Sequence, residues 1–313
     1  MYRTALLILC LFFGPVIIQA GCLSNALTSV QSQISDQSSP PNFSNNHRYR
    51  LTVAAIFQNE GRFLREWIEY YILMGVEHFY LYNNFSDDNF EEVLAPYITS
   101  GLVELIDWSL PVDNVGSYIY AQLSAYSDAI SKGESEWMAL IDIDEFFVPT
   151  HCDTLLELLK QHQENDIGGI IIPWVMFGTS YVPHIPDDKL LIETLLLNDG
   201  PNWKGPLHKI WNTALYKSIV RPDVVCRVYS PHIVSYYTGY RHELLSTDEA
   251  QTNHYWVRDE DFFYNIKIPR CERWGTPATQ VIQKAEGYNH KTDYHLSIQR
   301  FVPELRKRLG FQQ

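Results

Sequence analysis

Between residues 50 and 176, short apolar runs alternate with stretches whose apolar positions recur every three or four residues. Residues 53–57 predict a strand. Phe63, Leu64, Trp67, Ile68, Tyr71 and Ile72 then share one helical face, and Gly75 ends that helix. A strand over 78–82 follows, then a helix faced by Phe90, Val93, Leu94, Tyr97 and Ile98 and stopped by Gly101, then a strand over 103–108. A helix at 120–131 leads into 137–143, a nearly unbroken apolar run of the kind found in strands buried on both faces of a parallel sheet. A helix at 154–162 and a strand at 169–175 extend the series, so the pattern predicts an α/β domain. No internal repeat occurs, and no Gly-x-Gly-x-x-Gly follows the first strand, which removes most support for dinucleotide binding.

Beyond Phe177 the pattern becomes irregular, with clustered Pro, Trp, His and Tyr, until an amphipathic helix at 297–309. Irregular polar-aromatic sequence beside an ordered α/β half points to a binding region. At the other end, Arg3 precedes an apolar run over 5–18 and a small-residue site at Ala20, Gly21 and Cys22, which is the grammar of a signal peptide. The run is short for a bilayer span, which takes about 20 residues, so a short membrane anchor is the second reading. Gln19-Ala-Gly-Cys22 also resembles a bacterial lipoprotein box. Residues 22–47, rich in Ser, Gln, Asn and Pro, read as a flexible tether. The expected organisation is therefore address or anchor at 1–21, tether at 22–47, main domain at 48–275 and a helical extension at 276–313. The corresponding location is the secretory pathway or a membrane surface.

The chain has 313 residues, of which 46% are hydrophobic, enough for a large core and incompatible with disorder. Asp and Glu outnumber Lys and Arg by 37 to 24, a net charge of −13 that argues against nonspecific grip on nucleic acid. An anionic ligand would need local basic residues or a metal ion. Twenty Tyr and eight Trp supply rings on which sugars could stack, although most such rings serve the core. Of five cysteines, Cys10 lies in the address segment. Cys22, Cys152, Cys226 and Cys271 could form two disulfides or remain thiols. Asn42-Phe-Ser and Asn84-Phe-Ser are glycosylation sequons in a eukaryotic secretory host.

The chemistry concentrates at Asp142-Ile-Asp144-Glu. Side chains alternate along a strand, so Asp142 and Asp144 are expected on one side at the carboxyl end of the 137–143 strand, where open α/β sheets bind ligands. Two adjacent carboxylates repel, and the arrangement suits a divalent cation, Mn²⁺ or Mg²⁺, with phosphate oxygens and a third protein ligand. A helix cap or a salt bridge to Arg is the purely structural alternative.

Several short motifs, in this order and spacing, resemble glycosyltransferase family 92 (domain of unknown function 23) and its family-2-like relatives. They are Gln58-Asn-Glu, Glu66-Trp-Ile-Glu-Tyr, Gly75-Val-Glu-His-Phe-Tyr-Leu-Tyr-Asn-Asn, Ser86-Asp, Asp142-Ile-Asp-Glu-Phe and Asn253-His-Tyr. The resemblance covers roughly residues 50–273. It implies a GT-A fold, Rossmann-like with a mostly parallel sheet flanked by helices. It also implies a nucleotide-diphosphate-sugar donor, a divalent metal on Asp-x-Asp, and transfer to a hydroxyl of a glycan or glycoconjugate acceptor. Carried over by residue, Asp142 would hold the donor ribose or approach the metal, and Asp144 would ligate it. Asn59 and Glu60 would sit beside the nucleotide, and Asn83 and Asp87 would line the base and ribose pocket. The sequence departs at Gln58, where the family usually has Lys, and at Asp259, where Ser is common.

A departing sugar diphosphate needs positive charge. Candidates are Lys204, Lys209, Lys217 and Arg221, then Arg258, Lys267, Arg270 and Arg273. His254 is the favoured third metal ligand and His232 the second. An inverting transfer also needs a carboxylate base, for which Asp261 ranks before Glu260. Both also fit the acidic start of a helix. The leading expectation is a metal-dependent, inverting glycosyltransferase using a donor such as a UDP-hexose. A silent secreted carbohydrate-binding protein and a nucleotidyltransferase are the alternatives.

Overall fold

The computed structural model describes residues 47–199, 216–290 and 295–311. The expected address or anchor, most of the tether, the Asn42 sequon, Lys204 and Lys209 lie outside these residues. The first half follows the hydrophobic pattern closely. Strand β1 (Tyr49–Phe57) is followed by helix α1 (Gly61–Leu73), β2 (His78–Asn83), α2 (Phe90–Thr99), β3 (Val103–Asp107), α3 (Val115–Ser131) and β4 (Ser135–Leu140). Next come β5 (Glu145–Pro149), α4 (Leu155–Lys160) and β6 (Ile167–Met176). Helix α1 ends because Gly75 takes φ +93°, a left-handed conformation that L side chains resist.

Strands β3, β2, β1 and β4 lie side by side in parallel, and successive β1 residues enter different cores. Val53, Ala55 and Phe57 pack with Trp67, Ile68 and Tyr71 of α1, whereas Ala54 and Ile56 pack with Ala121, Ala125 and Tyr126 of α3. The 137–143 run divides in the same way, Trp137, Ala139 and Ile141 entering one core and Met138 and Leu140 the other, as expected of a strand buried on both faces. Helix α1 also aims three ring donors at β5. Trp67 Nε1 and Tyr71 Oη donate to Glu145 O at 3.0 and 3.2 Å, and Tyr70 Oη donates to Phe147 O at 2.8 Å.

The irregular half contains more strands than its pattern suggested: β7 (Tyr216–Val220), β8 (Val225–Val228), β9 (Val234–Tyr236), β10 (Arg241–Leu244) and β11 (Ala250–His254). β7 inserts antiparallel between β4 and β6, giving the order β3-β2-β1-β4-β7-β6-β11-β5, with β10 also pairing with β6. These strands are only three to five residues long and carry polar side chains, so neither length nor alternation marks them in the sequence.

After β11, helix α6 (Glu260–Phe262), a π-helical turn (Phe263–Lys267), α7 (Ile268–Arg273) and α8 (Ala278–Glu286) build a small cluster of their own around Val257, Phe263, Ile268, Val281 and Ala285. The last segment is a 3₁₀ turn (Leu296–Phe301) and then α9 (Val302–Leu309), where one helix was expected. Pro303 near the start of α9 supplies no N–H to extend it backwards. Ile298, Phe301, Leu305 and Leu309 return to the main core. Among the described residues, Cys152, Cys226 and Cys271 are free thiols, and no helix is long and apolar enough to cross a membrane. The Asn84 sequon is corrected too: the side chain is buried and its Nδ2 donates to Trp108 O and Leu110 O at 2.8 and 2.9 Å.

Candidate active site

Strand β4 stops at Leu140, two residues before the acidic motif, so Asp142 and Asp144 occupy a turn into β5 rather than a strand face. Glu145 N donates to Asp142 O at 3.1 Å, and Asp142 N donates to Glu145 Oε2 at 2.9 Å. This reverse turn sends the two aspartates apart. Asp142 turns toward α3 and β7: Oδ1 accepts from Gln122 Nε2 at 2.5 Å and Tyr126 Oη at 3.2 Å, and Oδ2 pairs with Lys217 Nζ at 2.9 Å. Asp144 turns toward β11 and the π-helical turn, with Oδ1 3.4 Å from His254 Nε2 and Oδ2 3.6 Å from Lys267 Nζ.

The expected pair around one cation is therefore replaced by a trio. Ligand atoms of Asp144, Glu145 and His254 lie within 4.8 Å of one another, and Asp142 is not among them. His254 Nδ1 faces Glu145 Oε1 at 3.6 Å, and among the described residues both buried atoms are without a hydrogen-bond partner. A cation between Asp144 and Nε2 would leave Glu145 behind the ring as the group that orients it, a recurrent arrangement at imidazole-bound metals. A carboxylate and an imidazole fit Mn²⁺ or Mg²⁺, the imidazole favouring the former.

The electrostatics agree with this division. Burial opposes the charge of Asp144, but His254 and Lys267 outweigh it and hold the carboxyl well below its usual range. Burial lowers the pKa of His254, which leaves a neutral ring nitrogen to offer a metal. Burial also opposes the charge of Lys217, yet Asp142 and Glu145 raise its pKa above the ordinary value.

Asp144 and His254 of the trio border a cavity of about 440 Å³, with Glu145 buried behind them. Glu60, Asp142, Asp144, His232 and His254 line it, as do Lys267 and Arg270 from the candidate basic residues. His232 stands outside the trio: its Nδ1 lies 3.0 Å from Tyr216 O, and its ring packs on Trp174, which touches His254 on a further contact. Glu60 is ion-paired to Arg258 at 2.5 Å, which commits that arginine to structure.

Other expected residues do not line the cavity. Asn59, at φ +55°, ties two loops together by donating from its N–H to Ser86 Oγ and accepting from Asp87 N, each at 2.9 Å. Asn83 Oδ1 accepts from Ser86 N at 3.0 Å, and Asp87 is exposed. The residue between them, Asn84, reaches the cavity instead. Glu260 and Asp261 are outside the lining as well, at the start of α6. Asp261 is half exposed, 3.4 Å from His184 Nδ1 and bonded to Asn265, while Asp259 is fully buried and caps the helix through Phe262 N at 3.0 Å. The acidic run stands at the helix start, where Asp259 supplies the cap and Glu260 and Asp261 occupy the first turn. Arg221 and Arg273 do not line the cavity either.

The sequence did not single out Gln122, Asn84, Trp174 and Lys284 as cavity residues, nor Tyr126 and Glu145 behind them. Only Glu145 carried a local signal, as a third acid directly after the paired aspartates. Lys284 and Lys267 both place their ammonium groups 4.9 Å from the ring centre of Trp256, so one indole carries two cations beside Asp144.

The glycosyltransferase family 92 model matches residues 47–297. A family 92 protein of Arabidopsis thaliana is 25% identical over 255 residues, covering 77% of this chain and 40% of that protein. Another, of Ricinus communis, is 26% identical over 183 residues, covering 56% and 29%. The β-1,4-galactosyltransferase galt-1 of Caenorhabditis elegans is 30% identical over 109 residues, covering 33% and 26%. The chain thus spans only about a third of the length of these curated relatives. Among solved structures, a mannosyltransferase from Pyrobaculum calidifontis in complex with GDP-Man and Mn²⁺ has a TM-score of 0.40 and 12% identity, covering 90% of this chain and 76% of that one. With the family model spanning the sheet, the acidic turn and His254 together, the chain belongs to glycosyltransferase family 92.

Proposed function

We propose that this chain transfers a sugar from a nucleotide-diphosphate donor to an acceptor hydroxyl with the help of a divalent cation, Mn²⁺ before Mg²⁺. The observation that carries the reading is the cavity edge where Asp144 and His254, backed by Glu145, meet Lys267 and Lys284. A bound cation there would supply Lewis-acid stabilisation of the diphosphate leaving group. The protein supplies the rest. Lys267, Arg270 and Lys284, which line the cavity, offer positive charge to the departing phosphates. Arg270 is held in place by donating to Gln58 O at 3.2 Å.

The part of the lining contributed by Ile56, Gln58, Asn84, Val112, Val115 and Ile119 has the apolar walls and few polar groups that suit a nucleobase. The relatives support the donor class: structures resembling this chain hold GDP-Man or UDP-GlcNAc, and a galactosyltransferase is among its sequence relatives. In this reading the N-terminal 1–21 segment is the address or anchor that brings the domain to its acceptor.

The test is a screen of UDP- and GDP-hexoses with the full chain, with Mn²⁺ or chelator, reading nucleoside diphosphate and pyrophosphate separately. Metal-dependent nucleoside diphosphate release is expected, and Asp144→Asn should reduce it by about a hundred-fold or more with an unchanged circular dichroism spectrum. Pyrophosphate release would instead identify a nucleotidyltransferase. Glycan binding without turnover would identify a carbohydrate-binding protein.

A further inference from the structure

The two halves of the acidic turn are built differently. Every oxygen of Asp142 is already engaged, Oδ1 by Gln122 and Tyr126 and Oδ2 by Lys217. Among the described residues, the Asp144 carboxylate has contacts of 3.4 and 3.6 Å only, and the neighbouring Glu145 Oε1 and His254 Nδ1 have no hydrogen-bond partner. One half is a finished ion-pair network and the other is open.

Lys217 finishes the closed half. It enters on β7, the antiparallel strand wedged between β4 and β6, opposite Ile172 in the register, and its side chain has no exposure. Its ammonium lies 2.9 Å from Asp142, 3.4 Å from Glu145 Oε2 and 5.9 Å from the ring centre of Tyr126. An ammonium buried this deeply without partners would cost several kcal/mol, so the strand, the lysine and the turn hold one another.

We infer that Lys217 is a resident cation of the site: a positioning residue that occupies Asp142 and one oxygen of Glu145, so that the divalent ion is left to Asp144 and His254. This inference rests on the metal reading above. It assigns the two aspartates of the motif opposite tasks, Asp142 bound to a cation the fold provides and Asp144 to one taken from solution. A fixed positive charge beside the turn also restrains the affinity for the second cation.

The experiment compares the wild-type chain with Lys217→Met and Lys217→Arg, measuring Mn²⁺ binding by electron paramagnetic resonance without nucleotide, and the melting temperature in chelator and in saturating Mn²⁺. Lys217→Met should melt lower in chelator, recover most of the loss in Mn²⁺, and bind Mn²⁺ about ten-fold tighter or take up a further equivalent. Lys217→Arg should keep the wild-type Mn²⁺ dependence. Unchanged or weaker Mn²⁺ binding by Lys217→Met, or a melting loss that Mn²⁺ does not recover, would overturn the assignment. Should Lys217→Met fail to fold, Asp142→Asn and Asp144→Asn decide. They remove the same charge, and the first should weaken Mn²⁺ binding by about ten-fold or less and the second by about a hundred-fold or more. Equal losses would reject the division of labour. A wild-type chain that binds no Mn²⁺ would reject the metal reading itself, a result distinct from either.

Discussion

At the scale of single residues, the site is decided by which atoms are already taken. Both hydrogens of Asn84 Nδ2 go to backbone carbonyls, at Trp108 and Leu110, which leaves Oδ1 as the polar atom Asn84 offers the cavity. A fixed acceptor matches the ring N–H of uracil or guanine and meets a lone pair in cytosine or adenine. UDP and GDP should therefore compete for the Mn²⁺-loaded site about ten-fold better than CDP and ADP in a displacement titration, and four equal affinities would remove Asn84 from base selection. The sequence pointed to this loop through Asn83 and Asp87 but missed the residue between them. Neighbouring asparagines differ in role only through carbonyls some 24 residues away.

At the scale of elements, α1 is the helix on which the site's framework hangs. Its rings donate to β5, and Glu66 accepts from Leu191 N at 2.7 Å and Ile192 N at 3.1 Å, the first free donors of the short helix α5 (Leu191–Thr194). Burial raises the Glu66 pKa from 4.5 to about 7, and the two N–H donors resist that rise. The folded chain thus keeps a proton that the unfolded chain releases above pH 4.5. The stability from this group is full below that pH and is lost as pH rises through 7. Relative to Glu66→Gln, the wild-type unfolding free energy from urea titrations should fall by at most about 3 kcal/mol across that window. Parallel pH profiles for the two proteins would show that Glu66 titrates normally. Strand β6 meets its neighbours just as closely: a Cβ at Gly169 would lie 2.8 Å from Ile219 O and collide with Tyr236 Oη. Gly169 was legible only as a strand residue, because the crowding comes from β7 and β9.

At the scale of the whole molecule, the cavity lies between the α/β body and the separate small cluster of α7 and α8. Tyr118 at the start of α3 and Trp274 at the end of α7 bring their ring centres to 4.8 Å, linking the two sides. Neither ring belongs to a buried core. Trp274→Ala should therefore weaken nucleotide affinity several-fold while shifting the melting temperature little, and unchanged affinity would make the contact incidental. From the chain alone come the alternation of β1 to β4 and β6 with their helices, the glycine stops, the acidic motif and the candidacy of His254, because each is written in local period or in adjacent residue types; β5 was not among the expected strands. Tertiary structure alone separated Asp142 from Asp144, joined Glu145 to His254 and buried Lys217 between β4 and β6. Lys217 and Asp142 are 75 residues apart, and a pairing at that distance leaves no period in the sequence. It exists only once strands from both halves of the chain share one sheet.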